Sequence, residues 1–171
     1  IFDSLLIIFI LNFNHSDKFF YSENIIESHI LLCREESVHC IKVLRLTIGD
    51  QLMVTDGRGQ IANCILIDTN TKSCKLKIIS KKYIQHNIGN KIHIAISPTK
   101  NINRFEWFLE KTIELGIREI TPILTQRSER DKLNVDRIHK KMITALKQSN
   151  NAFLPLLNPL VKFDDFIKQK N

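Results

Sequence analysis

Lys111-Thr112-Ile113-Glu114-Leu115-Gly116, followed by Ile120, Pro122 and Arg127-Ser128, is the stretch that decides the fold. It closes an amphipathic helix whose inner face reads Phe105, Phe108, Leu109, Thr112 and Ile113. Gly116 supplies the left-handed residue that stops such a helix. Glu119 to Thr125 then reads as a buried strand. Upstream, Ile92, Ile94 and Ile96 form another strand that ends at Ser97-Pro98, and Asn103 is placed to cap the helix. Strand, helix, strand at this length is a crossover unit, so the two strands are expected to be parallel and the fold class α/β. In open α/β sheets ligands bind at the carboxyl ends of strands. Arg127 and Arg130 follow such an end, which makes that end the place to look for a site.

Downstream, Asn134 can cap a second helix burying Val135, Ile138, His139, Met142, Ile143 and Leu146, with Arg137, Lys140, Lys141 and Lys147 elsewhere on it. Pro155 and Pro159 break the chain, and Asp164 to Gln169 makes a last short helix. Only two strands are clear in this half. A parallel sheet is covered on both faces and has about four or more strands, so on packing grounds this half is expected to be cut off at its C-terminal end.

The first half reads differently. Lys18 to Tyr21 is a short strand and Ser22 to Ser28 a polar connection. Ile30-Leu31-Leu32 is a second apolar run. Glu35-Glu36 open a helix running to about Leu46, which Gly49 is expected to end. Gln51 to Thr55, a turn at Asp56-Gly57-Arg58-Gly59, and Gln60 to Ile67 form a hairpin, because Gly takes the positive φ the turn needs. Ser73 to Ile79 alternates, with Cys74, Leu76 and Ile78 inward and Lys75 and Lys77 outward. Several short strands and one helix predict a small β-barrel-like module. Lys81 to Asn90 reads as a linker.

Net charge is +7 with a pI near 9.3. Residues 1–17 carry −2, residues 18–90 carry +3 (10 basic, 7 acidic) and residues 91–171 carry +6 (15 basic, 9 acidic). A basic excess spread over both halves favours a polyanionic partner such as nucleic acid. Cys33, Cys40, Cys64 and Cys74 form no Cys-x-x-Cys pair and no zinc-finger set, so no metal is expected and buried free thiols fit a reducing cytoplasm. Leu5 to Leu11 is an apolar run without the basic start of a signal peptide or the roughly 18–20 apolar residues of a membrane span. Residues 1–17 are therefore expected to be an apolar extension outside the fold, with no membrane partner.

No Gly-rich phosphate loop and no Ser/His/Asp set is visible. His93 reads as a packed or solvated strand residue, and Asp164-Asp165 as a helix start. His39, Lys42 and Arg45 recur every three residues on a polar helix face. That strip is either a solvated face or a phosphate contact. Lys75, Lys77, Lys81 and Lys82 carry the same two readings.

Set in order, the motifs resemble the 16S ribosomal RNA uridine-N3 methyltransferase family, RsmE, of the knotted SPOUT class. In the first half the matching residues are Phe20-Tyr21, His39, Val43-Leu44-Arg45, Gly49-Asp50 and Asp56-Gly57. In the second they are Pro98-x-Lys100, Arg104-x-Glu106-Trp107, Lys111, Glu114-Leu115-Gly116, Pro122, Arg127-Ser128, Gln148-Ser149 and Pro155. The resemblance spans about residues 18 to 171. It implies an N-terminal PUA-like RNA-binding barrel at 18–86 and, at 91–171, the first part of a SPOUT trefoil-knot methyltransferase domain. It implies S-adenosyl-L-methionine as cofactor, 16S rRNA or the small ribosomal subunit as partner, a homodimer, and a cytoplasmic location. The rim of the active site would include Lys111, Glu114, Arg127, Ser128 and Gln148. RNA would be held by His39, Lys42, Arg45, Arg58 and Arg104. No cofactor-binding residue is assigned, because the knot-forming segment is expected beyond Asn171. The chain is therefore expected to be an inactive fragment, with a non-catalytic RNA-binding module as the alternative. One departure stands out: many members carry an arginine shortly after the Gln-Ser pair, where this chain has Asn150-Asn151.

Overall fold

Alternating burial builds the first sheet. In the computed structural model, which describes residues 18–25, 28–85 and 92–170, Phe20, Leu52, Val54, Ala62, Cys64, Leu66 and Leu76 all point to one interior. The strands are β1 (Phe19–Tyr21), β2 (His29–Leu31), β3 (Gln51–Thr55), β4 (Gln60–Asp68) and β5 (Lys75–Tyr83). Their order is β1-β3-β4-β5-β2. β1 is parallel to β3, while β3–β4 and β2–β5 are antiparallel. β5 runs through Lys81 to Tyr83, which the sequence reading gave to a linker; polar composition hides an exposed strand end. The expectations for residues 1–17 and for the rest of that linker fall outside the described residues.

α1 (Arg34–Val38) continues directly into a π-helical turn, His39–Val43. Leu44 N–H donates to His39 and Leu46 N–H to Cys40, both at 3.0 Å. The helix then stops at Arg45, which holds a left-handed φ of 54°. Gly49 is not the stop. It sits in the following turn, where Asp50 N–H reaches Thr47 O at 3.0 Å. The Thr47 N–H, the Lys18 ammonium and the Thr47 hydroxyl hold the Asp50 carboxyl below the usual carboxylate range. Ser37, fully buried, donates to Cys33 O (2.8 Å) and accepts from Cys74 N–H (2.8 Å), which ties α1 to the start of β5.

The second unit comprises residues 57–59 and 83–171. β6 (His93–Ile96), α2 (Ile102–Glu114) and β7 (Glu119–Leu124) form the expected crossover, and β6 is parallel to β7. The cap of α2 is Asn101 rather than Asn103: its side chain accepts from Asn103 N–H at 3.0 Å. Both asparagines suit a cap, and the strand's exit loop selects the earlier one. Gly116, at φ 72°, closes the helix with Gly116 N–H on Ile113 O and Ile117 N–H on Thr112 O. α3 (Val135–Gln148) is capped by Asn134, as expected. Ile138, Met142 and Leu146 are buried, but Val135 is exposed because it lies in the first turn, before the helix reaches the core.

Two more strands join the sheet: β8 (Leu156–Leu157) and β9 (Val161–Lys162), both parallel to β7, followed by α4 (Phe163–Lys170). The sequence showed only two strands here, because a two-residue strand carries no periodicity. Pro122 explains why β8 and β9 are separate. Arg118 O and Ile120 O accept from Leu156 and Asn158 N–H, both at 2.9 Å, so alternate β7 residues face that side. Residue 122 faces it too, and proline has no N–H to give. Pairing lapses there and resumes at Ile123 with Val161.

Between α2 and α3, Glu106 is buried and meets Arg137 Nε at 2.7 Å and Lys141 Nζ at 3.7 Å. Arg137 and Lys141 are half-exposed and can turn to water, so removing this carboxylate costs a charge-assisted hydrogen bond rather than stranding two charges. Glu106→Ala is expected to destabilise the protein by about 1.5–3 kcal/mol in chemical denaturation. Lys100→Ala, at the exposed Lys100–Glu129 pair, is expected to stay within about 0.5 kcal/mol. Equal losses would show that burial does not govern the Glu106 cluster.

The cysteines give a second check. Cys40, Cys64 and Cys74 are buried and free, and Cys33 is exposed. Burial pushes the Cys40 and Cys64 thiols up to about 12, with Cys74 adding to the rise at Cys40. Alkylation of the native protein near pH 8, followed by mass spectrometry, is expected to modify Cys33 alone, with the other three reacting only after denaturation. Native modification of Cys40 or Cys64 would contradict this packing.

Candidate functional site

Parallel β6 and β7 end side by side, and the loops leaving them form a cleft of about 730 Å³. Ser97 to Asn101 and Arg104 line one wall, and Thr125 with Arg127 to Glu129 line the other. The walls are joined by hydroxyls. Ser128 Oγ accepts from Thr125 N–H at 2.8 Å and lies 2.8 Å from Ser97 Oγ. Arg130 pins the facing loop by donating to Lys100 O (2.8 Å) and Thr99 O (3.3 Å). Lys100 is paired with Glu129 at 3.4 Å. Among the described residues, no carboxylate pairs with Arg104 or Arg127. A second cleft of about 680 Å³ adjoins the first, shares Thr125 and Arg127, and reaches Lys162, Phe163 and Asp164.

Rigid elements set this geometry. Arg104 sits in the first turn of α2, directly after the Asn101 cap, so it faces the exit of β6. The N-terminal end of α2 adds its positive dipole at the same place. Arg127 and Ser128 follow β7 in a turn closed by Ser128 N–H on Thr125 O at 3.1 Å. The lining is cationic and rich in hydroxyls, which suits phosphate oxygens. It fits the positive sulfonium of S-adenosylmethionine poorly, and no cofactor contact is assigned to it.

Not every residue singled out in the sequence comes to this cleft. Arg104, Arg127 and Ser128 meet there. Lys111 and Glu114 lie in the last turns of α2, paired with each other at 2.8 Å. Gln148 ends α3. A crossover helix runs antiparallel to its strands, so these three residues lie toward the amino ends of the sheet. Arg104 and Glu114 are ~15 Å apart along the helix axis. Asn150-Asn151, where the resemblance led an arginine to be expected, have structural work. Asn150 takes a left-handed φ of 50° at the end of α3, a conformation asparagine tolerates. Asn151 donates to Ile113 O at 2.7 Å.

In the first unit, His39, Lys42 and Arg45 do not form the strip that a regular α-helical period would give. The π-helical turn widens the spacing after His39, and the left-handed Arg45 turns the chain away. His39 packs edge-on to Phe20, with ring centroids 5.9 Å apart, while Lys42 and Arg45 are exposed. Arg58 belongs to the tip that groups with the second unit, bridging to Phe153.

Sequence reasoning missed three polar arrangements. Ser97 bonds Ser128, and its place at the end of a strand was the available signal. Glu106 is buried within an otherwise plain amphipathic pattern. His93 lies 2.7 Å from Thr121 Oγ1, and Asn158 donates to Glu119 and to Thr121, both at 2.7 Å. No spacing in the sequence links Asn158 to β7. No group of metal-holding side chains occurs among the described residues, and no helix among them is long and apolar enough to cross a membrane.

A ribosomal RNA small subunit methyltransferase E of Rickettsia conorii is 28% identical over 149 residues, covering 84% of this chain and 59% of the relative. The crystal structure of a probable rRNA-methyltransferase from Porphyromonas gingivalis superposes with a TM-score of 0.79 at 34% identity, over 88% of this chain and 63% of that one. A Legionella pneumophila structure in complex with the bound cofactor SAM gives 0.74 at 25% identity, over 89% and 66%. The chain thus spans less than two thirds of each. The expected architecture, a PUA-like first unit followed by a SPOUT-type parallel α/β unit, agrees with these neighbours. Residues 32–79 match the RNA methyltransferase PUA domain model. Residues 86–171 match the RNA methyltransferase domain model, and the chain belongs to that family.

Proposed function

We propose that the protein acts in S-adenosylmethionine-dependent methylation of small-subunit ribosomal RNA, at N3 of a uridine, in the cytoplasm and as a homodimer. The observation that carries this reading is the cleft, where Arg104 and Arg127 converge at the carboxyl ends of parallel strands with no carboxylate partner among the described residues, in a chain of this family. The relatives named for small-subunit rRNA methylation supply the substrate class. The Legionella complex supports the cofactor. The bound cofactor would contribute an activated methyl group.

This chain's residues bind and orient. Arg104 and Arg127 hold backbone phosphates, and the Ser97–Ser128–Thr125 hydroxyls fix the loops that carry them. Uracil N3 is protonated at neutral pH, so transfer needs its proton removed. A cation beside the uracil oxygens would stabilise the anion left once that proton has passed to solvent. Lys42, Arg45 and Arg58 add phosphate contacts, and His39 stays a candidate for an RNA contact. Lys111, Glu114 and Gln148 stay candidates for a rim built at the other end of the sheet. These residues supply the grip on RNA.

Two measurements test this. Arg127→Ala is expected to weaken RNA binding and to lower the salt dependence of log K by about one ion per phosphate lost, with the thermal midpoint unchanged. In the whole protein, supplied with small ribosomal subunits and labelled S-adenosylmethionine, the label is expected on uridine N3. RNA binding with no transfer by the whole protein would leave a non-catalytic RNA-binding module. Absence of RNA binding would remove both readings.

A further inference from the structure

Trp107 is the single tryptophan of the chain, and it is 61% exposed. Tryptophan normally hides most of its large apolar surface, so this placement calls for a partner. It stands on the outward face of α2, opposite the buried Phe105, Leu109 and Ile113. Arg104 is one turn before it and Lys111 one turn after, so a cation flanks the ring on each side of the same face. Arg104 also lines the cleft, and that makes the helix face continuous with it. Lys111 is held beside its helix by Glu114, at 2.8 Å.

We infer that the Arg104–Trp107–Lys111 face of α2 is a ledge for single-stranded RNA, on which a base next to the nucleotide held in the cleft stacks on the indole. The two cations lie ~10 Å apart along the axis, a span that lets their long side chains reach phosphates on either side of one stacked nucleotide. An aromatic plane between cations is the arrangement that binds single strands without reading sequence, since every base offers a π-face. A purely apolar protein partner would not call for a cation on either side of the ring. The inference rests on the reading of RNA as the partner.

The chain's own fluorescence tests it, because all tryptophan emission comes from Trp107. Titration with a short oligouridylate is expected to quench the emission in step with the anisotropy of labelled RNA. Trp107→Ala is expected to weaken binding about tenfold with an unchanged thermal midpoint, and Trp107→Phe to restore most of the affinity. Rising anisotropy with no quenching, and equal affinity for Trp107→Ala, would overturn the ledge and leave the RNA reading standing. Absence of any RNA binding would overturn both. A blue shift that grows with protein concentration in the absence of RNA, and is lost with a change in oligomeric state in Trp107→Phe, would overturn the ledge in favour of a contact between copies of the chain.

Discussion

A strand in the middle of a parallel sheet has neighbours on both sides, and at Pro122 it lacks a donor for one of them. Much of the second unit's arrangement is organised around that gap. The neighbouring edge is split into β8 and β9, two short pairings on either side of the proline. The loop between them brings in Asn158, whose side chain bonds Glu119 and Thr121. Past the gap, β9 leads straight into α4, and Phe166 of that helix packs edge-on to His93. Around the gap, side-chain hydrogen bonds and ring packing therefore add to a shortened ladder.

The same strand serves the candidate site. Its carboxyl end must be firm, because Arg127 and Ser128 depend on it for position. Pairing with Val161 beyond the gap and the Ser97–Ser128 link both secure that end. Arg104 comes from the first turn of α2 and Arg127 from the loop after β7, and among the described residues no carboxylate pairs with either. Charges held in advance by a scaffold bind phosphate without a large ordering cost at the moment of contact. That is the physical content of a site at the ends of parallel strands.

Much of this was legible in the residues. Gly116 and Asn134 announced their caps, and the Asp56-Gly57 turn between β3 and β4 with the alternation at the start of β5 announced the first sheet. Arg127-Ser128 were legible as candidates because they follow a strand end, whereas Arg104 entered through the family resemblance. Other features were not legible, for physical reasons. Arg45 ends its helix in a conformation usually given to glycine, so the signal pointed to Gly49 instead. A π-helical turn has no sequence period of its own, which dissolved the His39, Lys42, Arg45 strip. β8 and β9 are too short to alternate, and their pairing depends on a proline in another strand. The burial of Glu106 is decided by α3, through Arg137 and Lys141, and nothing within α2 reveals it.

The tip of the β3–β4 hairpin has a consequence for taking the protein apart. Gly59 N–H donates to Ala152 O and Leu154 N–H to Gly57 O, at 2.9 and 2.8 Å. A Cβ on Gly59 would meet the Phe153 ring at 2.6 Å, so the approach depends on glycine. These three residues belong to the second unit although the chain reaches them while building the first. Neither unit is therefore an uninterrupted stretch of chain. A cut near Tyr83 does not yield two intact halves: the C-terminal piece loses its glycine clip, and the N-terminal piece keeps a tip without its partners.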